Sequence, residues 1–160
     1  MQVSGKVLIC DDIDETGIKS LKNGGMVVDY RPDITHEVLL NIIGEYDTIV
    51  VRSRTKITKE IIDNATKAKI IARVGVGLDN IDTGYAESKD IRVINAAEAA
   101  MNAVSELVIG LMISLARGIS RADTGTKNGA WLKKELMGSE LRGKYLGIIG
   151  VGNIGRNLGR

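Results

Sequence analysis

Three short stretches of the chain hold residues whose types and spacing could do chemistry. Arg52, Ser53 and Arg54 follow the apolar run "DTIVV" (47–51), and Arg73 lies just before Gly75-Val76-Gly77. An arginine directly after a strand presents a planar fork of donors to a carboxylate or phosphate. Glycines at a strand-to-helix turn let main-chain N–H groups approach a ligand with no Cβ in the way. If the two groups converge they make an anion pocket suited to a small acid or a phosphorylated acid. The alternative is that the arginines are solvated and the glycines only turn the chain.

The third stretch is Gly150-Val151-Gly152-Asn153-Ile154-Gly155, preceded by the apolar "YLGIIG" (145–150). The spacing G-x-G-x-x-G between a strand and a helix suits a dinucleotide pyrophosphate. Gly150 makes the tight turn, Gly152 lets the main chain approach the phosphates at the helix N-terminus, and Gly155 lets helix pack on strand. The acidic residue that confirms this motif belongs ~20 residues further on, past Arg160. The alternative is a glycine-rich turn that binds no nucleotide.

Other candidates read as structural. Asp11 and Asp12 fit N-cap or turn roles better than catalysis. His36 is the one histidine; it falls in the first turn of a helix, far from the strand ends above, and reads as a surface residue. The chain therefore shows no proton-transfer residue. Cys10, the single cysteine, reads as a small buried hydrophobe. It excludes an internal disulfide and a cysteine-only metal site, and no metal is expected.

These residues need elements to hold them. Of 160 residues 44% are apolar, with no Phe, so the core is aliphatic. Strands are expected at 6–10, 26–30, 47–51, 69–74 and 91–95. Helices are expected at 14–23, from the Thr35 cap onward, at 59–66, and from Asp79 or Asn80 to Ser88. Continuously apolar strands separated by helices imply a parallel sheet covered on both faces. The fold class is α/β: residues 1–96 form a flavodoxin-like doubly wound parallel sheet. A long Ala-rich helix (98–117), apolar on most sides, is expected to be buried between domains or subunits. A more polar helix (119–131) follows. Residues 97–144 are then linking and dimerisation helices, and 145–160 the first strand and helix of a Rossmann domain.

The net charge of +2 is dispersed, which gives no nucleic acid a footprint. The longest apolar stretch, 107–116, is shorter than the ~20 residues of a bilayer span. No signal peptide is read in Met1-Gln2-Val3-Ser4-Gly5-Lys6. A cytoplasmic protein with neither nucleic-acid nor membrane partner is expected.

"VRSRTKIT" (51–58), "ARVGVGLDNID" (72–82), "INAAEA…SELVIGLMISLARGI" (94–119) and "GSELRGKYLGIIGVGNIGR" (138–156) together resemble the D-2-hydroxyacid dehydrogenases. They lie nearest the branch that oxidises 3-phosphoglycerate to 3-phosphohydroxypyruvate, at the entry to serine synthesis. The resemblance implies an NAD-dependent oxidoreductase, a homodimer, and a first domain that binds the hydroxy acid. It implies that Arg52 and Ser53, with the Gly75-Val76-Gly77 main chain, hold the substrate's acid and phosphate groups. Val76 would also lie near the cofactor. Asn153 and Ile154, with Gly150, Gly152 and Gly155, would place N–H groups on the pyrophosphate of NAD. Two positions depart from the family pattern: Ala97 stands where proline is common, and Ala100 where a substrate-contacting asparagine is common. Asn102 is not promoted to that role. The same scaffold leaves two other readings open, a glyoxylate or hydroxypyruvate reductase and a non-catalytic NAD-binding interaction module.

The family's catalytic arginine, glutamate and histidine lie beyond Arg160, so the chain reads as truncated within the NAD-binding domain. The 160 residues alone are expected to form no NADH from 3-phosphoglycerate and NAD; phosphoglycerate-dependent absorbance at 340 nm from material free of contaminating enzyme would overturn this.

Overall fold

The protein is described from a computed structural model over residues 5–160. Of the segment read as free of a signal peptide, residues 1–4 lie outside that range. The chain divides into two compact units, Met1–Ala97 and Glu98–Arg160.

The first unit is a five-stranded, wholly parallel sheet in the order β2-β1-β3-β4-β5. Its strands are β1 (Lys6–Ile9), β2 (Val27–Tyr30), β3 (Thr48–Val51), β4 (Ile70–Arg73) and β5 (Arg92–Asn95). Helices α1 (Glu15–Asn23), α2 (His36–Ile42), α3 (Lys59–Asn64) and α4 (Thr83–Ser88) connect them. This is the flavodoxin-like order. In β1 and β3, "KVLI" and "TIVV", the last three residues are all buried, as expected where both faces of a central strand are covered.

The two faces are not equally covered. Leu8, Cys10, Ile49, Val51 and Ile71 pack with Leu39, Ile43, Ile61, Ile62 and Ala86 from the α2, α3 and α4 side. On the other face Val7, Ile9 and Val50 meet Ile18 and Leu21 of α1, while Ile94 of β5 stays 40% exposed. The sheet is doubly wound, with a thinner second layer.

Caps set most helix starts. Asp14 accepts from the Thr16 amide at 2.8 Å, and Thr35 from Val38. Thr58 caps α3 in the same way, each satisfying an orphan donor of the first turn. The expected cap of α4 at Asp79 or Asn80 is corrected: Asp82 caps it through the Tyr85 amide. Residues 79–80 instead form a turn, closed by the Ile81 amide on the Leu78 carbonyl at 3.0 Å, and the Ile57–Ile81 bridge holds Ile81 ahead of the helix.

The second unit holds α5 (Met101–Arg117), α6 (Ile119–Lys127) and α7 (Asn153–Leu158). Gly118, at φ 63°, ends α5 and starts α6, a left-handed conformation that glycine adopts without a Cβ penalty. Asn157 of α7 donates to Asn102 and Ser105 of α5, both at 3.1 Å, which gives Asn102 a structural partner.

One expectation fails here. Residues 145–150 form no strand; Tyr145 and Ile149 are fully exposed, because a strand without a neighbour leaves its main-chain groups unpaired. The long helix expected to be buried between domains or subunits has, within this single chain, only Ser105 buried. Leu107, Leu111 and Leu115 line one exposed stripe, and Ile109 and Ile113 are exposed on the opposite side of the helix.

Truncating Ile49, at 0% exposure in central β3, to Ala is expected to lower stability by about 2–5 kcal/mol; urea unfolding would measure it, and a loss below 1 kcal/mol would contradict the core placement.

Candidate functional site

Parallel pairing brings the carboxyl ends of all five strands to one rim, where ligands of open α/β sheets bind. The β1 end supplies Cys10-Asp11-Asp12, the β3 end Arg52 to Thr55, the β4 end Arg73 to Gly77, and the β5 end Asn95.

Asp11 is the hub of this rim. Its carboxylate is 2% exposed. It accepts from the Arg52 amide (2.5 Å), the Thr55 amide (3.2 Å) and the Thr55 hydroxyl (2.7 Å). It also pairs with Arg54 at 3.3 Å. The expectation that Asp11 and Asp12 cap or turn the chain is corrected: Asp14 is the cap, and Asp12 accepts from the Tyr30 hydroxyl at 2.7 Å. A buried charge is retained only when paired and hydrogen-bonded, and every partner of Asp11 lies in one loop.

Arg54 is a strap. Its guanidinium donates to the carbonyls of Cys10 (2.6 Å), Pro32 (2.5 Å) and Ile34 (3.1 Å), which uses its donors on main chain. Arg52 is different. Its main chain is held at both ends, the amide by Asp11 and the carbonyl by Arg73 Nε and Asn80 Nδ2, each at 3.1 Å. Its guanidinium is exposed and makes one long contact, 3.5 Å to the Asp12 carbonyl.

The link from Arg52 to the glycine turn therefore runs through its carbonyl. The cation lying on that turn is Arg73: a Cβ at Gly75 would run into its guanidinium. Gly75 has φ +154°, which also favours glycine. At Gly77 a Cβ would fall 2.8 Å from the Asp79 carboxylate. Carbonyls of the turn are tied to the β5 end, Gly75 to the Ala96 amide at 3.0 Å and Val76 to Asn95 Nδ2 at 2.6 Å. Among the described residues the amides of Ser53, Arg54, Val76 and Gly77 have no protein acceptor. Two neighbouring loops thus offer free N–H groups beside two guanidiniums, an arrangement that can hold a carboxylate or phosphate.

Sequence reasoning missed Arg73, Asn80 and Asp11 as organisers of this rim. The signal for Asp11 was its place directly after a central strand, level with the loop after β3. His36 was placed too far away. It starts a helix that follows β2, so it lies at the same end of the sheet, in an open cleft of about 790 Å3 with Lys56, Thr58, Glu60 and Asn80. It is an exposed residue 3.4 Å from Glu60. Cys10 is fully buried; burial first, and then the Asp11 charge, pushes its thiol up to about 12, which leaves no thiolate nucleophile at neutral pH.

In the second unit, Gly150 has φ +91°. A Cβ at Gly155 would strike the Gly150 carbonyl, whereas one at Gly152 would meet nothing within 4 Å. A turn glycine, an open glycine and a packing glycine are what a pyrophosphate-binding turn requires, so these residues fit a dinucleotide.

Residues 7–150 match the family model of the D-isomer specific 2-hydroxyacid dehydrogenase catalytic domain. The chain belongs to this family. Over 153 residues, 96% of this chain, it is 44% identical to a D-3-phosphoglycerate dehydrogenase of Methanocaldococcus jannaschii. It is 43% identical over 97% of its length to a hydroxypyruvate reductase of Thermotoga maritima. It spans 29% of the first relative and 51% of the second. Among solved structures, NAD+-bound 3-phosphoglycerate dehydrogenase from Entamoeba histolytica aligns over 98% of this chain and 50% of that one, at TM-score 0.73 and 33% identity. Among the described residues no single helix of this dehydrogenase-family chain is long and apolar enough to cross a membrane.

Gly75→Ala is expected to cost about 1–3 kcal/mol through its backbone conformation and to displace Arg73. Gly84→Ala, in α4 with open space around it, is expected to be neutral or mildly stabilising. Parallel urea titrations check the pair, and equal effects would contradict the account of Gly75.

Proposed function

We propose that this chain supplies the acid-binding rim and the dinucleotide turn of an NAD-dependent oxidoreductase acting on a D-2-hydroxy acid. The substrate we propose is 3-phosphoglycerate, oxidised to 3-phosphohydroxypyruvate in serine biosynthesis. The observation that carries this reading is the pair of free-amide loops, Ser53-Arg54 and Val76-Gly77, beside Arg52 and Arg73 in a chain of this family. The high identity to a D-3-phosphoglycerate dehydrogenase supports the choice of acid. The comparable identity to a hydroxypyruvate reductase makes hydroxypyruvate the second candidate.

In this mechanism the rim binds and orients the acid. The exposed guanidinium of Arg52 meets one anionic end of the substrate, with the Ser53 hydroxyl beside it. The amides of Val76 and Gly77 hold the other end. Fixing both ends of the acid is a gain from orientation rather than from acid–base chemistry. Asn153 and Ile154, after the open Gly152, would receive the pyrophosphate on their amides, and Val76 would lie near the nicotinamide. NAD held there supplies the acceptor for the C2 hydride. No proton transfer is assigned to these residues, because His36 is exposed and paired with Glu60.

Residues 1–96 serve in this reading as the acid-binding domain, 97–144 as linking and dimerisation helices, and 145–160 as the start of the NAD-binding domain. The exposed stripe Leu107, Leu111, Leu115 of α5 supports a homodimer, since apolar patches of this kind mark interaction surfaces.

Arg52→Ala is expected to weaken 3-phosphoglycerate binding at least tenfold, about 1.4 kcal/mol, in calorimetric titrations run against D-glycerate, hydroxypyruvate, glyoxylate and lactate. Unchanged affinity would remove Arg52 from the site, and tighter binding of hydroxypyruvate than of 3-phosphoglycerate would shift the assignment to a reductase.

A further inference from the structure

The carboxylate of Asp11 is a buried rim charge that the binding scheme leaves without a role. Its partners follow a pattern. It takes the amides of Arg52 and Thr55, the first and fourth residues of the β3 loop. The two amides between them, of Ser53 and Arg54, keep no protein acceptor among the described residues. A carboxylate gripping the ends of a four-residue loop leaves the two middle N–H groups for something else. The Thr55 hydroxyl closes the grip at 2.7 Å. Arg54 locks it from outside, pairing with Asp11 and reaching three carbonyls of the β1 end and the loop after β2.

Charge makes the arrangement workable. A lone buried anion beside an anion-binding loop would repel the ligand. Here Arg54 offsets Asp11 within 3.3 Å, and Arg52 remains as the exposed cation. We infer that Asp11 is a positioning residue: through its bonds to both ends of the Arg52–Thr55 loop it sets the unpaired amides of Ser53 and Arg54 against the anionic group of the substrate. This rests on the proposed acid-binding reading of the rim. Asp11 does not touch the ligand; it acts through the loop.

The sign of one substitution separates this role from simple electrostatics. Asp11→Asn keeps the size and one acceptor oxygen but removes a negative charge close to the anion site. If charge alone mattered, the variant would bind an anion more tightly. If position matters, it binds less tightly, because the amide group cannot accept from Arg52 N and Thr55 on both oxygens.

The test is an NMR titration of the full 160-residue chain with 3-phosphoglycerate, following assigned amides, in wild type, Asp11→Asn, Thr55→Val and Arg52→Ala. Wild type is expected to shift the Ser53, Arg54, Val76 and Gly77 amides. In Asp11→Asn the affinity is expected to fall tenfold or more. The Ser53 and Arg54 responses should be lost, and the β3 and β4 core amides should stay at their wild-type positions. A change confined to stability would leave the Ser53 and Arg54 responses intact. Thr55→Val keeps the carboxylate and is expected to weaken binding two- to fivefold, so the inference stands on it if the asparagine variant does not fold. Wild-type or tighter affinity in Asp11→Asn, or in Thr55→Val where that variant decides, overturns the positioning role while a loss in Arg52→Ala leaves the acid-binding reading in place. No response in wild type overturns that reading and the inference with it.

Discussion

Parallel pairing of five short strands places every strand end on one edge of the sheet, and a single buried carboxylate ties those ends together. Asp11 leaves central β1 with 2% of its surface exposed and takes all its partners from the loop after β3. Removing water from a carboxylate is costly unless several donors replace it. The fold meets that requirement by wrapping Arg52 to Thr55 around it. Arg52 is then fixed at its amide and its carbonyl, and its side chain alone is left free.

From that anchor a chain of contacts crosses the rim. The Arg52 carbonyl receives Arg73 and Asn80. Arg73 lies over Gly75 where a Cβ would sit, and Asn95 holds the Val76 carbonyl. Carbonyls are consumed inward along this line while amides at positions 53, 54, 76 and 77 stay free. Such an imbalance gives the rim a positive character beyond its formal charges. It explains why a site for organic acids can form with few dedicated side chains, and why glycine is required at position 75 on two counts, φ and space.

The second unit shows how much a motif depends on its surroundings. Gly150, Gly152 and Gly155 divide their roles as turn, open approach and packing contact. Yet the apolar run before them stays irregular and mostly exposed instead of pairing. Apolar character sets the tendency of residues 145–149 toward a strand, but a ladder needs a neighbour to receive its main-chain groups. The exposed leucines of α5 make the same point. Their periodicity describes a face to be covered, and a helix cannot cover its own stripe.

Much of this protein was legible from the order of its residues. Apolar runs of four to six residues located β1 to β5, since a buried parallel strand has little choice of composition. Thr35 announced the start of α2, and Gly24-Gly25 the end of α1, because capping is local chemistry between near neighbours. The glycines at 75, 77, 150, 152 and 155 marked both turns, as their backbone demands are local too. What distinguishes Arg52, Arg54 and Arg73 from one another was not legible. Arg52 and Arg54 follow a strand, Arg73 ends one, and all three carry the same fork of donors. Only the packed sheet decides that Arg54 is spent on main-chain carbonyls, that Arg73 lies on Gly75, and that Arg52 stays open to solvent. Asp11 belongs to the same class: whether a carboxylate after a strand is a cap, a surface charge or a buried hub depends on partners more than forty residues away. Sequence determines what each residue can bond to; distance in the folded chain determines which of those bonds is made.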